Sequence, residues 1–161
     1  MHSLGAYYGT DGSCTFSVWA PLIESLSLHI TAPSEKTVPL EKDGKGYWRT
    51  ALEKTGPDTE YKYVLPDGNE YADPASFYQP KGVHAPSRVV DHSRYEWQDS
   101  DWQGKPVSEY IIYELHVGTF TAEGTFDAAR RRLTYLADLG ITAVEIMPVA
   151  QFPGDRNWGY D

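Results

Sequence analysis

The last third of the chain carries the pattern that most limits what it can fold into. From Tyr110 to Asp161 a short apolar run, an amphipathic stretch and a second apolar run follow in that order. Ile111 to Val117 ends at Gly118, and alternation sets Glu114 and His116 on one face with Tyr113, Leu115 and Val117 on the other, which predicts a strand covered on both sides. Phe126, Ala129, Leu133, Leu136 and Ala137 recur at helical spacing, with Thr125 as N-cap and Gly140 just past the end. Ala143 to Val149 is apolar again. Strand, helix, strand in this order pairs the strands in parallel through a right-handed crossover. Parallel sheets are covered on both faces, and two strands with one helix lack that cover, so the sequence reads as cut off.

Before residue 75 the period changes to two. Cys14, Phe16, Val18 and Ala20 alternate with Thr15, Ser17 and Trp19. Leu26, Leu28 and Ile30 alternate with Ser27 and His29, and Trp48, Thr50 and Leu52 with Tyr47, Arg49 and Ala51. Tyr61, Tyr63 and Leu65 alternate with Lys62 and Val64. Lys42 to Lys45 and Pro66 to Asn69 supply hairpin turns, so an antiparallel β-sandwich is expected. From Asp91 to Ser108 the chain turns to Asp, Ser, Gln, Gly and Pro without periodicity and reads as a linker. Trp97 and Trp102 predict that this linker packs along a domain surface, since exposed indoles are costly.

Charge narrows the partners. Fourteen basic against twenty-three acidic residues give a formal net charge of −9, which argues against nucleic acid and anionic membranes. Twelve Tyr and five Trp suit a neutral ligand better. With no basic and apolar leader and no eighteen-residue apolar stretch, a soluble, cytoplasmic protein is expected. Cys14, the one cysteine, reads as a small buried hydrophobe. His2, His29, His84, His92 and His116 show no paired metal-ligand spacing, and no phosphate loop, nucleophile elbow or dinucleotide fingerprint occurs, so no metal and no cofactor is expected. Arg130 to Arg132 read as a solvated helix face with an Asp127 to Arg131 pair.

The segments YELHVGTFT, GTFDAA, LGITAVEIMPV and NWGYD resemble the opening of the catalytic barrel in glycoside hydrolase family 13. Within that family, ELHVGTF with MPVAQFPGDRNWGYD is most similar to the malto-oligosyltrehalose trehalohydrolases, and next to the glycogen branching and debranching enzymes. TFSVWAP, SLSLHI, GYWRTAL and EYKYVLPDGNEYADPAS resemble the immunoglobulin-like carbohydrate-binding module, family 48, that precedes such barrels. FYQPKGVHAPSRVVD is similar to the trehalohydrolase branch, with Ala85 where that branch usually has glycine. The resemblance implies a mainly β chain, with an immunoglobulin-like antiparallel sandwich at 1–90, a linker at 91–108 and an incomplete first β-α-β unit of a TIM barrel at 109–161. It implies hydrolysis of the α-1,4 bond beside the terminal trehalose of malto-oligosyltrehalose, with the remainder of the barrel as partner. A branching or debranching enzyme, or a stand-alone α-glucan-binding module, is the alternative.

Barrel sites form at the carboxyl ends of the strands, here 118–124 and 148–161. In the second loop, Phe152, Trp158 and Tyr160 lie among Asp155, Arg156, Asn157 and Asp161. Sugars offer an apolar ring face and directional hydroxyls, which suits this mixture; aromatics that merely plug the barrel mouth would look the same. The resemblance puts Tyr160 under the sugar ring next to the cleaved bond, with Trp158, Asn157 and Asp161 as neighbours. His116 either faces the mouth and binds substrate or is satisfied inside the barrel. A retaining mechanism with an aspartate nucleophile and a glutamate acid is implied, but the motifs for both are absent, so no catalytic residue is assigned. The β-sandwich keeps only Trp19 and Tyr47 as candidate outward aromatics, and is expected mainly to buttress the barrel.

Overall fold

A computed structural model describes residues 4–160. The chain divides into two compact units, the first reaching Glu96 and the second starting at Trp97.

In the first unit the strands run β1 (Gly5–Tyr8), β2 (Cys14–Trp19), β3 (Ser27–Ala32), β4 (Lys36–Pro39), β5 (Glu41–Lys42), β6 (Tyr47–Leu52), β7 (Glu60–Val64), β8 (Glu70–Tyr71) and β9 (Ser87–Arg88). They form two antiparallel sheets, one in the order β1-β2-β6-β5, the other in the order β4-β3-β7-β8 with β9 also on β7. The period of two fixes what lies between the sheets: Cys14, Phe16 and Val18 of one share a core with Leu28, Ile30, Tyr61 and Tyr63 of the other. Phe16 and Tyr61 meet edge to face across that core, their ring centroids 4.8 Å apart. The turn before β6 closes because Asp43 Oδ1 accepts from the amides of Lys45 and Tyr47, at 2.8 and 3.0 Å. Gly46 follows at φ +86°, where a Cβ would lie 2.7 Å from that of Pro21.

Two carboxylates are buried here. Asp73, 3% exposed, accepts from the Tyr61 hydroxyl at 2.7 Å and the Ala75 amide at 2.8 Å, while its own amide donates to Ser87 Oγ at 3.0 Å. Burial nonetheless raises its pKa above the ordinary carboxylate value. Glu60 is bracketed by Lys81 at 2.9 Å and Arg88 at 2.6 Å, and these hydrogen bonds hold its pKa below the usual range. Cys14 is fully buried, and burial pushes its thiol up to about 12.

In the second unit, β10 (Ile112–Leu115) is followed by helices α1 (Val117–Phe120), α2 (Phe126–Arg131) and α3 (Leu133–Asp138), then β11 (Ala143–Ile146). β10 and β11 pair in parallel, Glu114 opposite Glu145. Thr125 caps α2, its hydroxyl accepting from the Ala128 amide at 3.2 Å, and Gly140 ends α3 at φ +93°. Leu115, Val117 and Leu136 form the core, with Tyr113, Phe120 and Ile141 packed against it.

Several expectations change in detail. The strand stops at Leu115, because His116 is already the N-cap of α1. It is covered on one side only, with Ile112 and Glu114 exposed on the face the helices leave open. The single helix expected from Phe126 is two, tightened where the Arg132 amide reaches back three residues to Ala129 at 2.9 Å. Asp127 pairs with Arg130 at 3.5 Å, and Arg131 turns to Glu123 at 3.1 Å. Trp97 and Trp102 are largely exposed, since 91–108 offers only two short 3-10 turns, His92–Arg94 and Val107–Glu109, to bury them.

Candidate functional site

The strand pair places the site. Alternation along β10 sends Leu115 toward α3 and leaves Ile112 and Glu114 on the opposite face, continued by His116 just past the strand. The segment after β11 returns to the carboxyl end of this face and is tied to it at two points. His116 Nε2 lies 2.7 Å from the carbonyl oxygen of Asn157; a carbonyl only accepts, so Nε2 carries the proton. Nδ1 is buried, with no hydrogen-bond partner among the described residues. The second tie is the Tyr160 hydroxyl, which donates to Glu114 Oε1.

Between these ties the loop is closely defined. The Asn157 side-chain oxygen accepts from the Gly159 amide. Gly159 adopts φ +112°, and a Cβ there would lie 3.0 Å from that of Met147, so both conformation and space require glycine. Trp158 and Tyr160 flank it with ring centroids 5.8 Å apart and planes inclined by 59°. They are 64% and 48% exposed, aromatic surface held out on a fixed backbone. An open cleft of about 650 Å³ is lined by His116, Phe126, Met147, Phe152, Asp155 and Asn157, and Trp158 edges a neighbouring hollow that shares His116, Met147 and Asn157 with it. Apolar ring faces and a few directional polar groups can take a neutral polyhydroxylated ligand.

The structure therefore brings His116, Asn157, Trp158 and Tyr160 together, while Asp161 lies outside the described residues. Glu114 is the residue that sequence reasoning left without a role. Its alternation with His116 was the available signal, but its partner lies 46 positions away. Among the described residues, no group of three or more His, Cys, Asp or Glu side chains is arranged to hold a metal ion.

The first unit exposes more aromatic surface than alternation predicted: Tyr7, Tyr71, Phe77 and Tyr78 are exposed besides Trp19, because loops and edge strands carry them, while Tyr47 is half-buried. Trp19 and Tyr47 are cross-strand partners on β2 and β6. Trp19 is 55% exposed, its indole N–H donating to the Lys45 carbonyl at 3.2 Å, and Tyr47 lies under the Arg49 guanidinium, 5.3 Å from its ring centre. Trp48 faces inward, 4% exposed, and donates to the Ala20 carbonyl at 2.9 Å.

These two units have close counterparts among known proteins. Residues 3–78 match carbohydrate-binding module 48, the isoamylase N-terminal domain. Over the module and the second unit together, the chain is 45% identical over 151 residues to malto-oligosyltrehalose trehalohydrolase from Saccharolobus solfataricus, covering 94% of this chain and 26% of that protein. It is 31% identical over 166 residues to the 1,4-alpha-glucan branching enzyme of Pseudoalteromonas atlantica, covering 90% of this chain and 23% of the enzyme. The chain thus spans about a quarter of the length of the curated relatives it matches. A crystal structure of a candidate alpha amylase from Salmonella typhimurium superposes with a TM-score of 0.89 at 42% identity, over 100% of this chain and 27% of that one. The pullulanase of Anoxybacillus sp. LM18-11, crystallised with maltotriose, superposes with a TM-score of 0.73 at 26% identity, over 98% of this chain and 27% of that one.

Proposed function

We propose that this chain is the N-terminal part of an α-glucan hydrolase of glycoside hydrolase family 13. In this reading the whole enzyme hydrolyses the α-1,4 bond beside the terminal trehalose of malto-oligosyltrehalose, and this chain alone turns over no substrate. The supporting observation is 45% identity to a trehalohydrolase across 94% of the chain, a similarity that runs through both units and not the module alone. The branching enzyme, at 31%, is the weaker match. Residues 1–90 then act as the immunoglobulin-like module, 91–108 as the linker and 109–161 as the opening β-α-β unit of a TIM barrel, whose remainder is the chain's partner.

Chemistry at the site follows from what is held where. The Tyr160 ring offers a face to the sugar next to the cleaved bond, Trp158 takes a neighbouring ring, and the cleft edge at His116 and Asn157 orders the approach of hydroxyls. The His116 Nε2–H is already given to Asn157, so His116 shapes the loop and has only its other ring nitrogen left to offer. The carboxylate pair that such hydrolysis needs comes from later in the barrel, and the reaction requires no cofactor. A cytoplasmic setting, with Cys14 kept as an inert buried thiol, belongs to the same reading.

The test is a chimera in which this chain replaces the matching segment of the Saccharolobus solfataricus trehalohydrolase. Trehalose release from malto-oligosyltrehalose is the expected result. A folded chimera that releases none, while the same swap into the branching enzyme keeps branching activity, would overturn the reading in favour of a branching enzyme. A second reading, a glucan-binding module that acts by itself, draws on the exposed Trp19 beside Tyr47.

A further inference from the structure

We propose that Glu114 is a positioning residue for the sugar-facing ring of Tyr160, its carboxylate accepting the phenol hydroxyl and setting the ring's tilt at the carboxyl end of the strand pair. The inference rests on the reading of this loop as the one that meets the sugar. Glu114 lies on the face of β10 that the helices do not cover, and register sets Glu145 of β11 beside it. Two carboxylates side by side on neighbouring strands repel each other, so a hydroxyl donor presented to one of them is favoured there.

The loop brings that donor in without freedom to spare. His116 holds the Asn157 carbonyl at 2.7 Å, the Asn157 side chain holds the Gly159 amide, and Gly159 is pressed against Met147. These contacts hold the backbone at residues 157 and 159 and leave the rotation of the Tyr160 side chain to be settled by a partner of its own. The bond to Glu114 closes that rotation. It also decides how the ring is used: a hydroxyl whose proton is given to a carboxylate cannot also donate to a sugar and keeps only its acceptor lone pairs, which leaves the ring face as the surface a glucose unit meets. Together with the charges of Glu114 and Glu145, this bond holds the phenol above the ordinary tyrosine value.

The experiment follows the ring itself, in the full chain labelled in its tyrosine rings, with the Tyr160 signal assigned by its loss in Tyr160→Phe. In the wild type this signal should titrate above the ordinary tyrosine value and carry ring-current shifts from Trp158. In Glu114→Gln, where an amide oxygen still accepts but the charge is gone, the titration should move down while the ring-current shifts persist. In Glu114→Ala both should be lost. If Glu114→Ala, or Glu114→Gln should the alanine variant not fold, leaves the Tyr160 titration at its wild-type value, the positioning role is wrong. That outcome leaves the substrate reading untouched, because no glucan enters the measurement. A wild-type titration as expected, with Tyr160→Ala releasing trehalose at the unaltered rate in the chimera, would instead remove the sugar-facing role on which the inference rests.

Discussion

Replacing Tyr61 by Phe removes one oxygen from the middle of the β-sandwich. The ring stays against Phe16, so the packing is retained, but Asp73 loses its 2.7 Å donor and keeps the Ala75 amide at 2.8 Å, with the Tyr63 hydroxyl more distant at 3.4 Å. A hydrogen bond to a charged, buried group contributes about 1.5–3 kcal/mol. Taking about 2 kcal/mol, and a melting shift of about 4–8 °C per kcal/mol for a domain of this size, the variant should melt about 8–16 °C lower at neutral pH. The sign of the pH dependence follows from which form the hydroxyl favours. The donor stabilises the ionised carboxylate, and burial has already raised the Asp73 pKa, so without the donor the pKa rises further. The cost is therefore largest where Asp73 is charged and shrinks as pH falls through its raised value. Urea unfolding of wild type and Tyr61→Phe at neutral and acid pH measures both quantities. A difference below about 0.5 kcal/mol at pH 7, or one that grows on acidification, would refute the argument.

Glu60→Gln should destabilise the first unit at neutral pH, because Lys81 and Arg88 both lean on the carboxylate. Glu60 has a depressed pKa, so its contribution is present above its unfolded value of 4.5 and fades as pH falls through the folded one; the gap between variant and wild type in urea unfolding should close in acid. Gly159→Ala should displace Tyr160, since the added methyl meets Met147 at 3.0 Å on a backbone at φ +112°; loss of the Trp158 and Tyr160 near-ultraviolet dichroism would register it. Titration with maltoheptaose, followed by tryptophan fluorescence, should show affinity no tighter than millimolar, about −4 kcal/mol, because the exposed Trp19 has a half-buried ring, Tyr47, as its cross-strand partner. Micromolar saturation that Trp19→Ala abolishes would favour the binding-module reading.

How much of this was legible in the sequence depends on the range of the interaction. The alternation of Cys14, Phe16 and Val18 against Thr15 and Trp19 places β2 because every second side chain must reach the core. Asp43 and Gly46 close their turn through neighbours in sequence, so that turn can be read locally. The parallel pair of β10 and β11 follows from the helix between them. The two-residue strands β5, β8 and β9 carry too few residues for any period to show. Asp73 stands in a stretch that reads as a loop, and only the fold brings Tyr61 and Ser87 to it. At the site, the NWGYD segment marked the aromatics, whereas the bonds to His116 and Glu114 cross 41 and 46 positions and leave no local trace.

If the second unit opens a catalytic barrel, Tyr160 stands against the sugar there. The most direct measurement is kcat/KM for trehalose release by the trehalohydrolase chimera carrying Tyr160→Ala, with Trp19→Ala as the comparison. A stacked ring of this kind contributes on the order of 1.4 kcal/mol, so Tyr160→Ala should lower kcat/KM about tenfold, and Trp19→Ala should leave it within about twofold of the parent. A chimera in which Tyr160→Ala is as active as the parent, or in which Trp19→Ala is the damaging change, would contradict the claim.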